Sequence, residues 1–146
     1  MKIRDLHPDD APALLPLVQA LATDHGDVAR ATTETLARDL RSGWLWGFGA
    51  FAPDATLVGY VLLMPHLRAQ FGERGADLHH VFVATPFRRQ GLARRLIDAA
   101  EVDARTRGCT YLQIGANIGN DSARDTYTAL GYAWSAPTFW KFRKTL

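Results

Sequence analysis

A basic turn between a strand pattern and a helix pattern is the part of the chain best suited to chemistry. The apolar strand Val81-Phe82-Val83 stops before Pro86, and a turn with Gly91 then leads into an amphipathic helix. Residues 88–95 contain four arginines and no acidic residue. The first turn of a helix has unpaired backbone N–H groups and the positive end of the helix dipole. The sequence therefore predicts that this turn binds an anion such as a phosphate group.

Two other interpretations of the basic turn stay open at this point. A solvated helix start and a nonspecific nucleic-acid patch would carry the same arginines. The turn matches neither standard nucleotide fingerprint, because the sequence has no G-x-x-x-x-G-K-[ST] segment and no G-x-G-x-x-G opens the helix. A net charge of +2 is too small to indicate nucleic acid by itself.

A second segment, residues 120–132, holds a phenol at a fixed distance from a helix start. Asn120 can cap this helix, and Ala123, Tyr127 and Leu130 share one of its faces. Spacing alone favours a core tyrosine whose hydroxyl reaches water.

The composition is that of one ordinary folded domain. The chain has 146 residues, of which 47% are hydrophobic and 22% charged, and this length removes roughly 70% of the unfolded surface from water. No apolar run reaches the ~18 residues of a membrane span, and the N-terminal segment lacks a signal-peptide core, so we expect a cytoplasmic protein. The single Cys109 excludes an internal disulfide and argues against a cysteine-based metal site. We expect a single domain over residues 1–146 that needs no metal.

The elements that must position these residues alternate along the chain. The patterns predict strands at residues 2–5, 44–51, 57–64, 78–83, 111–114, 132–134 and 138–142, with a polar loop at 68–75. They predict helices that begin near Pro8 and Thr32, a central helix from the basic turn to Gly108, and a short helix at 120–130. The sum is a mixed α/β sheet layered by helices, with the basic turn at the carboxyl end of a central strand.

Together the two segments resemble the GNAT superfamily of acyl-CoA-dependent N-acetyltransferases. That family's signature turn is Gln or Arg, two variable residues, Gly, one variable residue, and then Gly or Ala, after a strand ending in hydrophobic-x-Val. The segment Arg88-Arg89-Gln90-Gly91-Leu92-Ala93 after Val81-Phe82-Val83 fits every constrained position. The family's later segment is matched in order by Asn120, Ala123, Tyr127 and Leu130-Gly131-Tyr132.

The resemblance implies a fold and a cosubstrate. The fold is the GNAT acyl-CoA N-acyltransferase fold, a central mixed sheet with a splayed pair of strands flanked by about four helices. The cosubstrate is acetyl-CoA, with its pyrophosphate in the backbone cradle of the basic turn and its pantetheine paired with strand backbone, as an added strand would be. The cofactor-binding residues implied are Val81, Phe82, Val83, Arg88, Arg89, Gln90, Gly91, Leu92, Ala93, Arg94, Asn120, Ala123 and Tyr127.

The implied chemistry is the attack of an amine on a thioester. A protonated amine must first lose a proton, and the tetrahedral oxyanion that forms suits a main-chain N–H donor such as that of Val81. Collapse expels a thiolate, to which Tyr127 could donate its proton. Transfer through Cys109 is the weaker alternative, because this residue lies at the far end of its strand, so we expect direct transfer in a ternary complex.

Three residues just before the cofactor-binding strand are candidates for the base: Asp77, His79 and His80. The family most often has its acid near Asp77. Strand alternation predicts that His79 and His80 point to opposite faces of the sheet, so that at most one faces the acceptor. A structural role stays open for each of the three.

The acceptor is the least defined part of the prediction. The resemblance implies that the loop between the first two helices and the hairpin strands shape the acceptor pocket, through Asp24, His25, Asp27, Trp44, Trp46 and Phe48. Acidic residues beside aromatic ones suit a small cationic amine, whereas the strand spacing of Trp44, Trp46 and Phe48 also fits a plain core. The tail at 139–142 resembles that of GNAT members acting on small amines, and it also suits a strand at a homodimer interface.

The expected function is therefore N-acetyl transfer from acetyl-CoA to a primary amine of a small molecule, with no nucleic-acid or membrane partner. Two alternatives stay open: acetylation of a protein N-terminus or lysine, and a non-enzymatic module that senses acyl-CoA on the same fold.

Overall fold

Five strands form one sheet in which the spatial order follows the chain. The strands are β1 (Lys2–Asp5), β2 (Trp46–Phe51), β3 (Leu57–Arg68), β4 (Glu73–Val83) and β5 (Tyr111–Ile114). The first four pair antiparallel, and β5 runs parallel to β4. The predicted mixed sheet is therefore confirmed.

Four α-helices accompany the sheet: α1 (Ala11–Asp24), α2 (Thr33–Ser42), α3 (Leu92–Thr106) and α4 (Asp121–Ala129). Local chemistry sets the ends of α2, since the Thr32 hydroxyl accepts the N–H of Thr35 at its start and Gly43 adopts a left-handed φ of +78° at its end. None of the helices has the length and apolar character needed to cross a membrane.

The computed structural model describes every residue from 1 to 146 and separates into two units, Met1–Gly115 and Ala116–Leu146. The first unit contains the whole sheet with α1, α2 and α3, and the second contains α4 and the tail. The single domain expected over residues 1–146 stays a prediction.

The helices of the first unit cover both faces of its sheet. Leu14 of α1 and Leu36 of α2 share a buried cluster with Tyr60 and Leu62 of β3. The intervening residue Val61 is also fully buried and points the other way, toward the face that α3 covers through buried side chains such as Leu96. The sheet thus has an α1/α2 face and an α3 face.

The polar loop predicted at residues 68–75 is shorter than expected. Strand pairing continues from Met64↔Asp77 to Arg68↔Glu73, so β3 and β4 form a long hairpin. Only a short 3₁₀ turn, Ala69–Phe71, and a left-handed Gly72 connect them. The polar side chains of this segment indicated a loop. They lie in paired strands nevertheless, because this end of the hairpin is exposed and its strands therefore lack the alternation of apolar and polar residues.

The strands predicted at residues 132–134 and 138–142 are wrong, because no strand forms after α4. The aromatic side chains that suggested them are exposed, with Trp140 at 86% and Phe142 at 88%. Aromatic residues favour strands through packing against cross-strand neighbours, and these residues have no paired strand beside them.

Gly47 in β2 lies where the backbone of the neighbouring strand β3 leaves no room for a side chain. A Cβ on Gly47 would overlap the backbone carbonyl of Val61 in the neighbouring strand, which cannot move without disturbing the ladder. We expect Gly47→Ala to lower the free energy of unfolding by roughly 1 to 3 kcal/mol in urea denaturation. Gly115→Ala is the matched control, because a Cβ there meets nothing within 4 Å. Equal losses in both variants would contradict this packing.

Candidate active site

The start of α3 is built to receive an anion. Gly91 precedes the helix with a left-handed φ of +73°, and no side chain caps the helix start. The first helical bond runs from the Arg95 N–H to the Gly91 carbonyl at 3.1 Å, so the N–H groups of Leu92, Ala93 and Arg94 have no intrahelical acceptor. Unpaired donors at the positive end of the helix dipole attract phosphate oxygens.

The backbone before α3 adds to this anion site. Arg89 adopts a left-handed φ of +61°, which costs a residue with a Cβ roughly 1 to 2 kcal/mol. Left-handed residues turn successive N–H groups into a concave surface that binds anions. A Cβ on Gly91 would meet nothing within 4 Å, so the space beside this backbone is open. The residues present therefore fit a diphosphate group.

The side chain of Arg88 is used within the protein. Its Nε donates to the carbonyl of Val83 at 2.8 Å, and its Nη2 donates to Asp24 at 3.0 Å. The guanidinium carbon also lies 5.4 Å from the ring centre of Phe82. Arg88 thus ties the end of α1 to the end of β4, and the cradle for an anion consists mainly of backbone.

The remaining residues predicted to bind the cofactor divide between core and surface. Phe82 and Leu92 are buried core residues, so only their backbone is available. The Gln90 amide lies 3.5 Å from the carbonyl of Pro86, and Arg94 is exposed beside Asp98 at 3.8 Å.

β4 and β5 separate into a fork. Their ladder runs from Gly75↔Tyr111 to Leu78↔Ile114, whereas β4 continues to Val83 with β3 alone beside it. The Ala84 N–H donates to Val58 of β3 at 2.9 Å, and hydrogen-bonded pairs alternate along an antiparallel ladder. Val81 and Val83 therefore direct their backbone groups away from β3. The Val83 carbonyl already accepts from Arg88, so an extended ligand could pair with both backbone groups of Val81 and with the N–H of Val83.

A β-bulge at His79 interrupts the β3–β4 ladder. Leu62 pairs with His80 and Leu63 pairs with Leu78, so His79 has no partner. The rings of His79 and His80 are stacked with their centres 4.2 Å apart and their planes 15° apart. The prediction that these two side chains point to opposite faces is wrong, because the extra residue of the bulge breaks strand alternation.

The bulge also brings Asp77 to the face of the sheet that His80 occupies. Asp77 pairs with Met64 and His80 pairs with Leu62, and residues two apart on β3 share a face. Gln113 of β5 donates its amide to Asp77 at 2.8 Å. The Asp77 carboxylate is therefore held by its cross-strand neighbour Gln113, close to the point where β4 and β5 separate, on the α1/α2 face.

Tyr60 of β3 is a further polar partner on this face. Its hydroxyl lies 3.3 Å from His80 Nδ1, and its side chain is fully buried. Burial lowers the pKa of His80 to about 4, with smaller contributions from the positive charges of His79 and His25. His80 is therefore neutral at neutral pH, while His79 is exposed.

Sequence reasoning missed both Tyr60 and Gln113. A buried phenol within an apolar strand is a signal, since its hydroxyl needs a partner. Gln113 carried no such signal, because only the β4–β5 register places it beside Asp77.

The residues predicted to shape the acceptor pocket are spread over two faces. His25 follows α1, and Asp24 is engaged with Arg88. The Trp46 indole donates to Asp103 of α3 at 2.9 Å, which places it on the α3 face, opposite to Asp77 and His80. Trp44 precedes β2 and is 77% exposed.

In the second unit, α4 forms as predicted around its cap. The Asn120 side chain accepts the N–H of Ala123 at 3.1 Å. Burial raises the pKa of Tyr127, so its hydroxyl keeps its proton at neutral pH. Its ring lies 6.3 Å from that of Tyr132.

Comparison with known proteins decides the family. The model of the acetyltransferase (GNAT) family matches residues 13–132, which is most of the chain. The chain belongs to the GNAT acetyltransferase family. This membership confirms the resemblance seen in the two motifs, and it covers both the fork in the sheet and α4.

Among its relatives, the aminoglycoside N(6′)-acetyltransferase type 1 of Klebsiella aerogenes is 32% identical over 85 residues, 57% of this GNAT chain and 56% of the relative. The chain thus matches little more than half of that relative's length. The solved aminoglycoside N-acetyltransferase AAC(6′)-Iy in complex with CoA has a TM-score of 0.78 at 20% identity, over 99% and 100% of the two chains. A ribosomal-protein-alanine N-acetyltransferase from Brucella melitensis biovar Abortus 2308 has a TM-score of 0.74 at 24% identity, over 100% of both. These structures share the fold, which serves different acceptors.

The anion site at α3 can be tested by filling it. We expect Gly91→Asp to weaken CoA binding roughly 100-fold or more in calorimetry, because a carboxylate beside the free N–H groups repels phosphate and competes for its donors. Gly43→Asp is the matched control, since Gly43 is also left-handed with open space around it and lies at the end of α2. Equal affinities in the two variants would contradict the site.

Proposed function

We propose that this GNAT chain is an N-acetyltransferase that moves an acetyl group from acetyl-CoA to a primary amine of a small molecule by direct transfer. The observation that carries the proposal is the fork between β4 and β5, which opens between a backbone anion site and a group of polar side chains on one face. Those side chains are Asp77, His79 and His80.

The backbone of the first unit supports the cosubstrate assignment. The N–H groups at the start of α3 suit the pyrophosphate, and the outward N–H and C=O of Val81 with the outward N–H of Val83 suit the two amides of pantetheine. When bound, acetyl-CoA supplies a carbonyl activated as a thioester. In the second unit, Asn120, Ala123 and Tyr127 keep the cofactor-binding role that the family resemblance implies.

The acceptor amine needs a group that takes its proton. An amine with a pKa near about 10 is mostly protonated at pH 7 and cannot attack until it loses a proton. Asp77, oriented by Gln113, can pair with the ammonium form, and the exposed His79 can accept the proton directly or through water. His80 is a poor base, because its pKa is lowered to about 4.

The transfer then makes one bond and breaks another. The amine nitrogen bonds to the carbonyl carbon, the C=O electron pair moves onto oxygen, and the C–S bond breaks when that pair returns. The outward N–H of Val81 is a candidate donor to the oxyanion. We assign Tyr127 as the proton donor to the departing thiolate, since its phenol is protonated at neutral pH and the family resemblance implies a position near the sulfur.

A small cationic acceptor is the best match to the charges on the α1/α2 face. Asp77 on β4 and the loop residues His25 and Asp27 offer carboxylates and an imidazole, whereas Asp24 at the end of α1 is paired with Arg88. Trp44, just before β2, is exposed and has an aromatic ring suited to a cation, whereas Trp46 is held on the α3 face. Because one relative is an aminoglycoside N(6′)-acetyltransferase, aminoglycosides are the first acceptors to test.

A thiol-release assay with acetyl-CoA across a panel of amines tests the proposal. We expect release that depends on a small amine, with aminoglycosides included in the panel. Tight binding of acetyl-CoA without release on any amine would favour a sensor, and new acetyl marks confined to protein would favour a protein acetyltransferase.

The role of Tyr127 can be separated from binding. We expect Tyr127→Phe to lower kcat roughly 100-fold with little change in the KM for acetyl-CoA, because the phenol acts only when the thiolate leaves. Tyr111→Phe is the control, since that hydroxyl bonds to His66, 2.6 Å away. A wild-type kcat for Tyr127→Phe would remove Tyr127 as the donor.

A further inference from the structure

The hydroxyl of Tyr60 is confined to a single polar partner. The residue has no exposed surface, and its oxygen lies 3.3 Å from His80 Nδ1. No other hydrogen bond reaches this hydroxyl, and no buried side-chain polar atom of the protein lacks a partner. The Tyr60 hydroxyl therefore depends on His80.

The direction of this hydrogen bond follows from the buried phenol. Burial raises the pKa of Tyr60, so the hydroxyl keeps its proton. If Nδ1 carried the ring proton, the phenol proton would be buried without an acceptor, which is strongly unfavourable. We therefore assign Tyr60 as the donor and Nδ1 as the acceptor, which leaves the proton of the neutral His80 ring on Nε2.

The Nε2–H group of His80 is available to a ligand. Nε2 has no hydrogen-bond partner within the protein. Every fully buried side-chain nitrogen or oxygen of the protein does have a partner, so Nε2 is at least partly exposed. The stacked ring of His79 holds the plane of the His80 ring. His80 also lies on the stretch of β4 that β5 leaves unpaired. A fixed donor thus stands at the fork.

We propose that Tyr60 locks His80 in the Nε2–H tautomer, and that His80 donates this hydrogen bond to the thioester carbonyl oxygen during acetyl transfer. The proposal rests on the proposed function and changes the role of His80 from a candidate base to a donor. His80 would neither gain nor lose a proton. The amine proton goes to Asp77, His79 or water, and the oxygen that gains the electron pair is stabilised by Nε2–H.

Burial and two neighbouring histidines favour a neutral His80, against the Asp77 carboxylate on the same face, which favours a positive charge. Tyr60 faces it from β3, His79 and Asp77 lie beside it on β4, and His25 approaches from the end of α1. The two histidines disfavour a positive charge on His80, and a cationic His80 would leave the Tyr60 proton without an acceptor. Tyr60 is a positioning residue, and His80 is the catalytic residue.

The tautomer can be measured without any acceptor. In ¹⁵N NMR of the ligand-free protein at pH 8, with the His80 signals assigned by their loss in His80→Gln, we expect the proton on Nε2. Tyr60→Phe should give a mixture of tautomers and a higher pKa for His80. Tyr111→Phe, which removes the phenol of the other tyrosine–histidine pair, should leave the His80 signals unchanged. A proton on Nδ1 in the wild-type protein, or no change in Tyr60→Phe, would overturn the lock.

Kinetics of His80 variants test the donor role. A glutamine amide can place an N–H near the position of Nε2 and cannot act as a base, so we expect His80→Gln to keep kcat within about tenfold of wild type. His80→Phe should lower kcat roughly 100-fold or more, as expected on loss of an oxyanion donor. Equal losses in both variants, with folding intact by circular dichroism, would overturn the donor role in favour of a base.

The two experiments keep this proposal distinct from the proposed function. A wild-type protein that releases no thiol with any amine would refute the proposed function and, with it, the donor role. The NMR result would still decide whether Tyr60 fixes the tautomer.

Discussion

The extra residue in the β3–β4 ladder is the constraint on which the candidate site depends. In a regular strand Asp77 and His80 would lie on opposite faces, because they are three positions apart. The bulge at His79 places both on the α1/α2 face and stacks the two imidazole rings. The ladder continues on both sides of the bulge, so the strand cannot slip to remove it. One inserted residue thus gathers an acid and two imidazoles beside the fork.

The anion site depends on backbone more than on charged side chains. The arginines that made the turn conspicuous are largely engaged elsewhere: Arg88 bridges Val83 and Asp24, and Arg95 donates to the Met1 carbonyl. What remains for a phosphate is the row of N–H groups at the start of α3 and the left-handed residues before it. Backbone held by a helix and a strand end loses little entropy on binding, which favours a preorganised cradle.

The polar residues on the two faces of the sheet differ in role: those on the α3 face stabilise the packing, and those on the α1/α2 face lie near the fork. On the α3 face, Trp46, Asp103 and Arg107 form a polar cluster with the indole bonded to the carboxylate and the guanidinium 4.6 Å above the ring. This cluster secures the far end of α3 against β2. On the α1/α2 face, the polar groups of β3, β4 and β5 meet near the fork, and it is this face that the proposed acceptor would approach.

Much of the architecture could be predicted from the sequence, because it depends on neighbours along the chain. Apolar periodicity predicted the central helix, short strand patterns predicted β1 and β5, the Thr32 and Gly43 signals bounded α2, and the spacing around Gly91 and Tyr127 identified the family. These features follow from backbone propensity, capping and short-range turn chemistry. Their physical causes lie within a few residues of each other.

The rest was decided by tertiary structure, because it depends on which strands pair and in what register. The bulge at His79, the Gln113–Asp77 bond and the Tyr60–His80 bond each join residues distant in sequence. Aromatic residues in the tail favoured strands that do not form, because strand propensity takes effect only where a partner strand packs beside it. The sequence by itself determined that a GNAT turn and helix would exist, whereas the pairing of β3, β4 and β5 decided which side chains share one face.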